Sequence, residues 1–470
     1  MAYFTKYVCF YKLSNENTLM LNTLTGAIDV VDNETFYLIN KTIKSRKINK
    51  KFDDQTYIKL KNRGYIFETK NEELKIKNKL REISLSSNSK VLNTKFVICP
   101  TMGCNLRCTY CFEGNDMHKN FKLMSEKQLN VIFNHIHQSI DKFKASDQSK
   151  SKLNYPTISL FGGEPLLSCN YSIIEKIFRF SNELKIPVSI VTNGTTINEY
   201  FDLIEKFKDI ISVIQITLDG NKAIHDIRRI YADGRGTFDK ICNGIDQILK
   251  IGIKISLRIN VDKENIDGIS ELKNIFDKNN WSKNPLFVPY ASPVKCYKCI
   301  QDSNILKESE MLDIFIKNGW YGNEQSFLKT VLSPVFGVVT NFFETSNDKI
   351  KPWKQTYCEA TFGAQYCFSP DGTITTCLTC VGKPKYKIGT FDENSVNIDE
   401  NKLKMWTQRD YFNMQKCKEC KFLLFCAGGC PVQSVERFGR IDYPSCDDIE
   451  KTIEIYVKNI ANKLLLSKWR

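Results

Sequence analysis

The 470 residues carry a formal net charge of +14, with 42% hydrophobic and 26% charged residues. This is the balance of a soluble globular chain with core enough for about three domains. No apolar run reaches the ~18 residues of a membrane span, and the opening MAYFTKYVCFYKLSNE lacks the apolar stretch of a signal peptide. A cytoplasmic location is therefore expected, and in that reducing compartment 18 cysteines argue for metal rather than disulfides. The basic excess suits an acidic peptide or nucleic acid, although the one short basic run, KSRKINKK (44–51), reads as solvated surface.

In residues 1–90, YVCFYKL, TLMLNTLTGAIDVV and GYIFET have the composition of short strands. DNETFYLINKTIK and FDDQTYIKLKNRG predict helices opened by Asp/Asn-type caps. The charged stretch 70–90 reads as a link to the rest of the chain. This α+β module has no catalytic constellation, so a binding role is expected. From 94 to 290, strands predicted at 94–99, 157–161, 187–193, 212–218, 253–261 and 285–290 alternate with helical patterns that include 125–143, 171–184, 238–250 and 266–278. Six such repeats predict a parallel sheet in an α/β fold, a partial (β/α)6 barrel, with 144–156 as a polar surface loop. Residues 305–345 look helical, and the cysteine-, glycine- and turn-rich sequence from 358 needs a source of stability beyond its weak core, which metal supplies. The expected domains are 1–90, 91–345 and 346–470.

CNLRCTYC (104–111) follows the first barrel strand, where such barrels build their sites. Its thiols, Cys104, Cys108 and Cys111, would hold three corners of a four-iron, four-sulfur cluster and leave one iron open. Zinc completed by another residue, or three buried cysteines without metal, are the competing readings.

This C-x3-C-x2-C loop resembles that of the radical S-adenosylmethionine (SAM) superfamily, in which SAM chelates the open iron and is cleaved to methionine and a 5′-deoxyadenosyl radical. The resemblance extends downstream. FGGEP (161–165) matches the family turn that meets the methionine amino group, which implicates Gly162, Gly163, Glu164 and Pro165. At later strand ends, VTNG (191–194) and ITLDG (216–220) offer Asn193 and Thr217 to the ribose or the methionine carboxylate. Arg229 fits the carboxylate-binding arginine, Arg258 is a second candidate, and Tyr110 is the aromatic beside the last cysteine. Strand-end capping or an exposed salt bridge is the bland alternative for Asn193, Thr217, Arg229 and Arg258.

Further on stand Cys358 and Cys377, then CKECKFLLFCAGGC with Cys417, Cys420, Cys426 and Cys430, then Cys446. Four close thiolates could hold one zinc ion, but seven in two groups suit two clusters. The pattern resembles the SPASM extension of radical SAM peptide-modifying enzymes, with a slightly short last gap. Carried over, it gives Cys417, Cys420, Cys426 and Cys446 to an outer auxiliary cluster and Cys358, Cys377 and Cys430 to an inner one. Cys367 and Cys380 compete for the inner cluster's fourth position, or that iron stays open for a substrate thiolate. Cys9, Cys99, Cys169 and Cys242 read as ordinary buried cysteines. CYKC, with Cys296 and Cys299, stands near the barrel mouth, open to redox or substrate contact.

The resemblance implies a peptide maturase with three 4Fe-4S clusters and SAM. Residues 1–90 look like a winged-helix domain that holds the leader of a ribosomally made precursor peptide as an added strand. Thioether formation between a peptide cysteine and carbon is the expected reaction, with flavodoxin or ferredoxin as electron donor and neither nucleic acid nor membrane as partner. A carbon–carbon crosslinking maturase is the nearest alternative. A sulfatase-maturing enzyme would leave residues 1–90 unexplained and would carry an acidic residue where this chain has Leu378. A non-catalytic electron-transfer protein would have no purpose for FGGEP.

Overall fold

The computed structural model describes residues 2–13, 16–45, 48, 52–89, 94–114, 121–145, 156–297, 304–328, 330–331, 336–344 and 354–461. The expected boundaries at 90/91 and 345/346, most of the loop 144–156, most of the basic run 44–51, and Cys299 lie outside the described residues. No described helix is long and apolar enough to cross a membrane.

The N-terminal module comprises β1 (Tyr3–Phe4), β2 (Val8–Lys12), β3 (Thr18–Asn22), β4 (Ile28–Val31), α1 (Asn33–Ser45), α2 (Asp54–Asn62) and β5 (Ile66–Phe67). β2, β3 and β4 form an antiparallel sheet, while β1 pairs with β5. The stretch TLMLNTLTGAIDVV is a hairpin rather than one strand. Asn22 turns the chain, its Oδ1 accepting from the backbone N–H groups of Leu24 and Thr25, and Gly26 takes the positive φ of 80° that the turn requires.

The expected link is a 20-residue helix, α3 (Lys70–Ser89). Its dense charge hid an apolar stripe. Ile76 and Leu80, one turn apart, pack with Tyr7, Leu24 and Phe67 against Tyr357, Tyr411, Phe412 and Leu424. Lys77 Nζ donates to the Lys418 carbonyl at 2.8 Å, and Ser84 Oγ to the Gln355 carbonyl at 2.6 Å. The N-terminal module is thereby fastened to the cysteine-rich region.

The strands β6 (Lys95–Ile98), β7 (Thr157–Leu160), β8 (Val188–Val191), β9 (Ile211–Thr217), β10 (Ile255–Val261) and β11 (Phe287–Pro293) are parallel neighbours in chain order. Helices follow the strands: α4 (Glu126–Lys144), α5 (Tyr171–Leu184), α6 (Ile197–Lys206), α7 (Lys222–Arg228), α8 (Phe238–Lys250) and α9 (Ser270–Lys278). Strands of this kind, covered on both faces, read as Val/Ile-rich runs. α6 has no counterpart among the predicted helices, although Ile197, Tyr200, Leu203 and Ile204 form its buried stripe. α7, with seven residues, is too short for periodicity to reveal. The expected helical span 305–345 is broken into α10 (Glu308–Lys317), β12 (Thr330–Val331) and α11 (Phe336–Glu344), with Gly319 at φ 70° just past the end of α10.

The cysteine-rich region continues the same sheet. After α12 (Glu359–Phe362), β13 (Gln365–Phe368) pairs in parallel with β6, and β14 (Thr373–Thr375), β15 (Gly389–Phe391) and β16 (Val396–Ile398) extend the sheet to 11 strands. All four residues of β13 are buried, so this strand covers the edge that β6 would otherwise leave open. α13 (Glu400–Thr407), α14 (Leu423–Cys426), α15 (Pro431–Phe438) and α16 (Ile449–Tyr456) complete the region.

Candidate cofactor and cluster site

The loop leaving β6 carries Cys104, Cys108 and Cys111. The segment after α7 pins it through backbone bonds: Arg107 N to Ile230 O at 2.8 Å, Thr109 N to Arg228 O at 3.0 Å, and Ala232 N to Asn105 O at 3.0 Å. Leu106, 1% exposed, anchors the loop from below. Burial pushes all three thiols up, and a charge on Cys108 raises Cys104 and Cys111 further, whereas Arg229 draws Cys108 down. Three thiolates here need a cationic group among them, which fits a metal cluster. Among the described residues no three His, Cys, Asp or Glu side chains stand where one ion would need them. A polynuclear cluster spreads its ligands more widely than a single zinc does.

The turn after β7 closes over this loop. Gly163 N donates to Thr101 O at 3.2 Å and Glu164 N to Gly103 O at 2.9 Å. A Cβ on Gly162, whose φ is 128°, would lie 2.3 Å from the Thr101 carbonyl oxygen, and one on Gly163 would lie 2.3 Å from that of Gly103. Only glycine fits either position. Glu164 is fully buried. It accepts from Leu166 N at 3.0 Å, Thr192 Oγ1 at 2.7 Å and Asn193 N at 2.7 Å. Burial raises its carboxyl and these three bonds oppose the rise.

Most of Glu164's acceptor capacity is thus used within the protein, joining the ends of β7 and β8. Pro165 accepts from Asn170 Nδ2 at 3.0 Å. Asn193 is similarly engaged, donating to Asn105 Oδ1 at 2.8 Å and accepting from Thr195 Oγ1 at 2.7 Å, with Nδ2 3.9 Å from Cys104 Sγ. Thr217 ends β9, buried, in register with Arg258. Arg258 itself donates to Asn260 Oδ1 at 2.7 Å and Ser292 Oγ at 3.1 Å.

Several polar residues at the barrel mouth were not singled out from sequence. The Tyr110 hydroxyl donates to the fully buried Asp219 and accepts from Arg229 Nη1 at 2.8 Å and Asn260 Nδ2 at 3.1 Å. Arg228 forms a two-pronged pair with Asp262 at 2.9 and 2.8 Å and reaches Glu264 at 3.3 Å. The two neighbouring arginines therefore differ. Arg228 is neutralised by carboxylates. Arg229 makes no ion pair among the described residues, and its buried Nε has no hydrogen-bond partner. That orphaned donor near Cys108 fits an anionic group such as a carboxylate. Glu113 has an orphaned Oε1 as well, and burial pushes its carboxyl up to about 8. The signal available in sequence was position: Asp219, Asn260 and Asp262 follow or close barrel strands.

The C-terminal cysteines gather in two sets. A charge on Cys377 raises the Cys358 thiol, and charges on Cys377 and Cys358 raise Cys430. Cys417 feels Cys426, Cys446 and Cys420 in the same way, and Cys426 feels Cys446 and Cys420. A Cβ on Gly429 would lie 1.6 Å from the Ser445 carbonyl oxygen, so this glycine lets the Cys446 segment lie against the 426–430 turn. Arg409 locks that turn, donating to the carbonyls of Gly429 at 2.7 Å, Gly428 at 3.0 Å, Ile441 at 2.7 Å and Tyr443 at 3.0 Å.

Cys367 and Cys380 each interact with Cys377, and neither is a main influence on Cys358 or Cys430. Cys367 packs in the sheet interior with Val97, Cys99, Met102 and Val381, while Cys380 hydrogen-bonds Cys377. Cys9 and Cys99 are buried and Cys242 is half-buried, but Cys169 is exposed, in the short 3-10 turn (Ser168–Asn170) that precedes α5.

A cavity of about 390 Å³ opens beside the first cysteine loop, lined by Tyr110, Cys111, Lys295, Tyr297, Lys383 and Glu436 among others. Cys296 lines it too. Lys383 Nζ donates to Thr379 O at 2.9 Å and Phe112 O at 3.4 Å, tying the Cys377–Cys380 turn to the first cysteine loop.

The three-cysteine loop follows the first strand of this parallel sheet, and residues 98–275 match the family described as the Radical SAM superfamily. The chain is 25% identical over 386 residues to a cysteine-type anaerobic sulfatase-maturating enzyme of Clostridium novyi, covering 78% of this chain and 94% of that one. It is 23% identical over 470 residues to the radical SAM cyclopropyl synthase TigE of Paramaledivibacter caminithermalis, covering 93% and 91%. Its fold is similar to that of Streptococcus suis SuiB, solved with its precursor peptide SuiA, with a TM-score of 0.55, 16% identity and coverage of 96% and 99%. SuiB has also been solved with S-adenosylmethionine.

Proposed function

We propose that this protein is a radical SAM peptide maturase that installs cysteine-to-carbon thioether crosslinks in a ribosomally synthesised precursor. Residues 1–90 bind the leader, 91–345 form the radical SAM barrel, and 346–470 form a SPASM domain with two auxiliary 4Fe-4S clusters. Cys104, Cys108 and Cys111 hold the first cluster. Once reduced by flavodoxin or ferredoxin in the cytoplasm, that cluster and SAM supply hydrogen-abstracting radical chemistry. Arg229 receives the SAM carboxylate, with Tyr110 fixing its guanidinium. The Gly162–Gly163 backbone receives the ammonium, and Glu164 holds that backbone in place.

One observation carries the thioether reading. Charge on Cys377 raises both Cys358 and Cys430, Cys377 itself is drawn down first by Cys380, and neither Cys367 nor Cys380 figures among the main influences on Cys358 or Cys430. The inner cluster then keeps one iron for the thiolate of a substrate cysteine, which enters through the cavity beside Tyr297 and Lys383. A sulfatase-maturating enzyme is expected to carry an acidic residue directly after the cysteine that corresponds to Cys377. Leu378 occupies that position, packed on the cluster of Val97, Cys99 and Met102.

Carbon–carbon crosslinking is the second reading, favoured by similarity to a cyclopropyl synthase across 93% of this chain. Anaerobic co-expression with a short cysteine-containing peptide encoded beside this protein separates the two. Tandem mass spectrometry is expected to show loss of two hydrogens per crosslink at a cysteine, with one deoxyadenosine formed per event. Equivalent modification of a core peptide that lacks cysteine would sink the thioether reading.

A further inference from the structure

Lys354 buries a cation that no described acceptor answers. Its Nζ is enclosed and has no hydrogen-bond partner among the described residues, and it stands 4.4 Å from the centre of the Tyr357 ring. The Tyr357 hydroxyl is buried and unpartnered as well. The backbone of Lys354 is fixed from two sides: its N–H donates to Leu424 O at 2.8 Å, and its carbonyl accepts from the Tyr411 hydroxyl at 2.7 Å.

Those contacts place the lysine between the two C-terminal cysteine sets. Leu424 lies in α14, the helix that ends at Cys426, and Tyr357 immediately precedes Cys358. Negative charge on either cysteine favours the ammonium, Cys426 more than Cys358, against a burial that draws Lys354 down to about 8. Lys295 and two carboxylates, Glu308 and Asp447, are within electrostatic reach, and Asp447 forms no ion pair with Lys354 among the described residues.

A buried ammonium without a partner is costly, by several kcal/mol in the general case, and persists where fixed negative charge surrounds it. Thiolate-ligated four-iron clusters carry net negative charge, which grows by one when an electron is added, and their potentials follow the local charge.

We propose that Lys354 is a cation shared by the two auxiliary clusters, raising the reduction potential of both by stabilising each one's one-electron-reduced form. This rests on the assignment of the seven C-terminal cysteines to two clusters. Each reduction takes one electron from an external reductant, adds it to one cluster, and leaves Lys354 itself chemically unchanged.

The test uses the full chain with Cys104, Cys108 and Cys111 replaced by Ala, reconstituted anaerobically with iron and sulfide, so that only auxiliary signals remain. Potentiometric titration followed by electron paramagnetic resonance is expected to give lower midpoints for both clusters in Lys354→Met and Lys354→Gln. Lys354→Arg, which keeps the charge, should stay near the parent. If the parent protein binds no auxiliary iron, the cluster assignment falls and takes this inference with it. If iron is bound and either midpoint stays put in the charge-free variants, the shared-cation role alone is overturned. Charge-free variants that lose iron while Lys354→Arg keeps it would replace tuning with an assembly role.

Discussion

Arg229 donates to the Tyr110 hydroxyl at 2.8 Å, and Tyr110 donates in turn to buried Asp219, so an arginine without a carboxylate partner among the described residues is held by a phenol. This leaves the Arg229 charge available and its orientation fixed. A charge-assisted hydrogen bond to an anionic ligand is worth about 1.5–3 kcal/mol. Arg229→Ala is expected to weaken SAM binding on the order of 10- to 100-fold, measured by equilibrium dialysis with the cluster in place. Tyr110→Phe, which loses only the orienting hydroxyl, should weaken it less. Equal losses would show that Tyr110 does more than orient.

Gly163 faces two backbone oxygens, 2.3 and 2.4 Å from where a Cβ would stand. Neither can retreat without moving the Met102–Gly103 segment that leads into Cys104. On the proposed cluster assignment, Gly163→Ala is expected to cost the iron of the first cluster while the auxiliary iron remains. Iron analysis beside a Cys104→Ala control checks this, and a full complement of iron would refute it.

Arg409 has six described acceptors: five carbonyls and Ser434 Oγ. Its guanidinium is buried, and burial draws its pKa down. Removing it leaves those acceptors without their donor, a class of change that costs about 3 kcal/mol or more. Arg409→Met should lower the melting temperature and, on the proposed cluster assignment, release the iron assigned to Cys417, Cys420, Cys426 and Cys446. The part-buried pair of Arg81 with Asp410, at 2.6 Å, is a useful contrast, because Arg81→Ala, which breaks a single ion pair, should cost about 1 kcal/mol.

Burial beside Arg229 and Arg228 holds His225 well below its usual 6.5, so the folded imidazole is neutral. It accepts from the Asp219 N–H at 3.2 Å and sits 3.0 Å from Thr237 Oγ1. The unfolded chain takes up a proton below about 6.5 and the folded chain does not, so stability is lost as pH falls. The limit is about 1.4 kcal/mol per pH unit. Melting curves at about pH 7.5 and about pH 5.5 should show a smaller drop for His225→Gln than for the wild type. Equal drops would place the acid sensitivity in other groups.

Much of the barrel was legible because its signals are local. Ile158, Leu160, Ile190, Ile214 and Ile216 lie in short apolar runs, and each strand was found within a few residues of its place. The elements that were misread depended on distant partners. α3 looked like a charged link because the surface that buries Ile76 and Leu80 lies more than 270 residues away, around Tyr357 and Tyr411. β13 lacked a strand signal because its reason to be extended is the open edge of β6.

By itself the sequence determined the spacing of the thiols: three in one loop, nine more from Cys358 to Cys446, and glycines where backbone must meet backbone. Spacing is a covalent property, and a loop of eight residues can bring its cysteines together with little help from the rest of the chain. Tertiary structure decided the distribution of charge. Arg228 and Arg229 are adjacent and chemically identical, yet Asp262 claims one and leaves the other facing Cys108. Lys354 is an ordinary lysine in sequence, and the fold makes it a buried cation between two sets of cysteines. Desolvation and charge pairing depend on which surfaces close over a residue, and no local pattern encodes that.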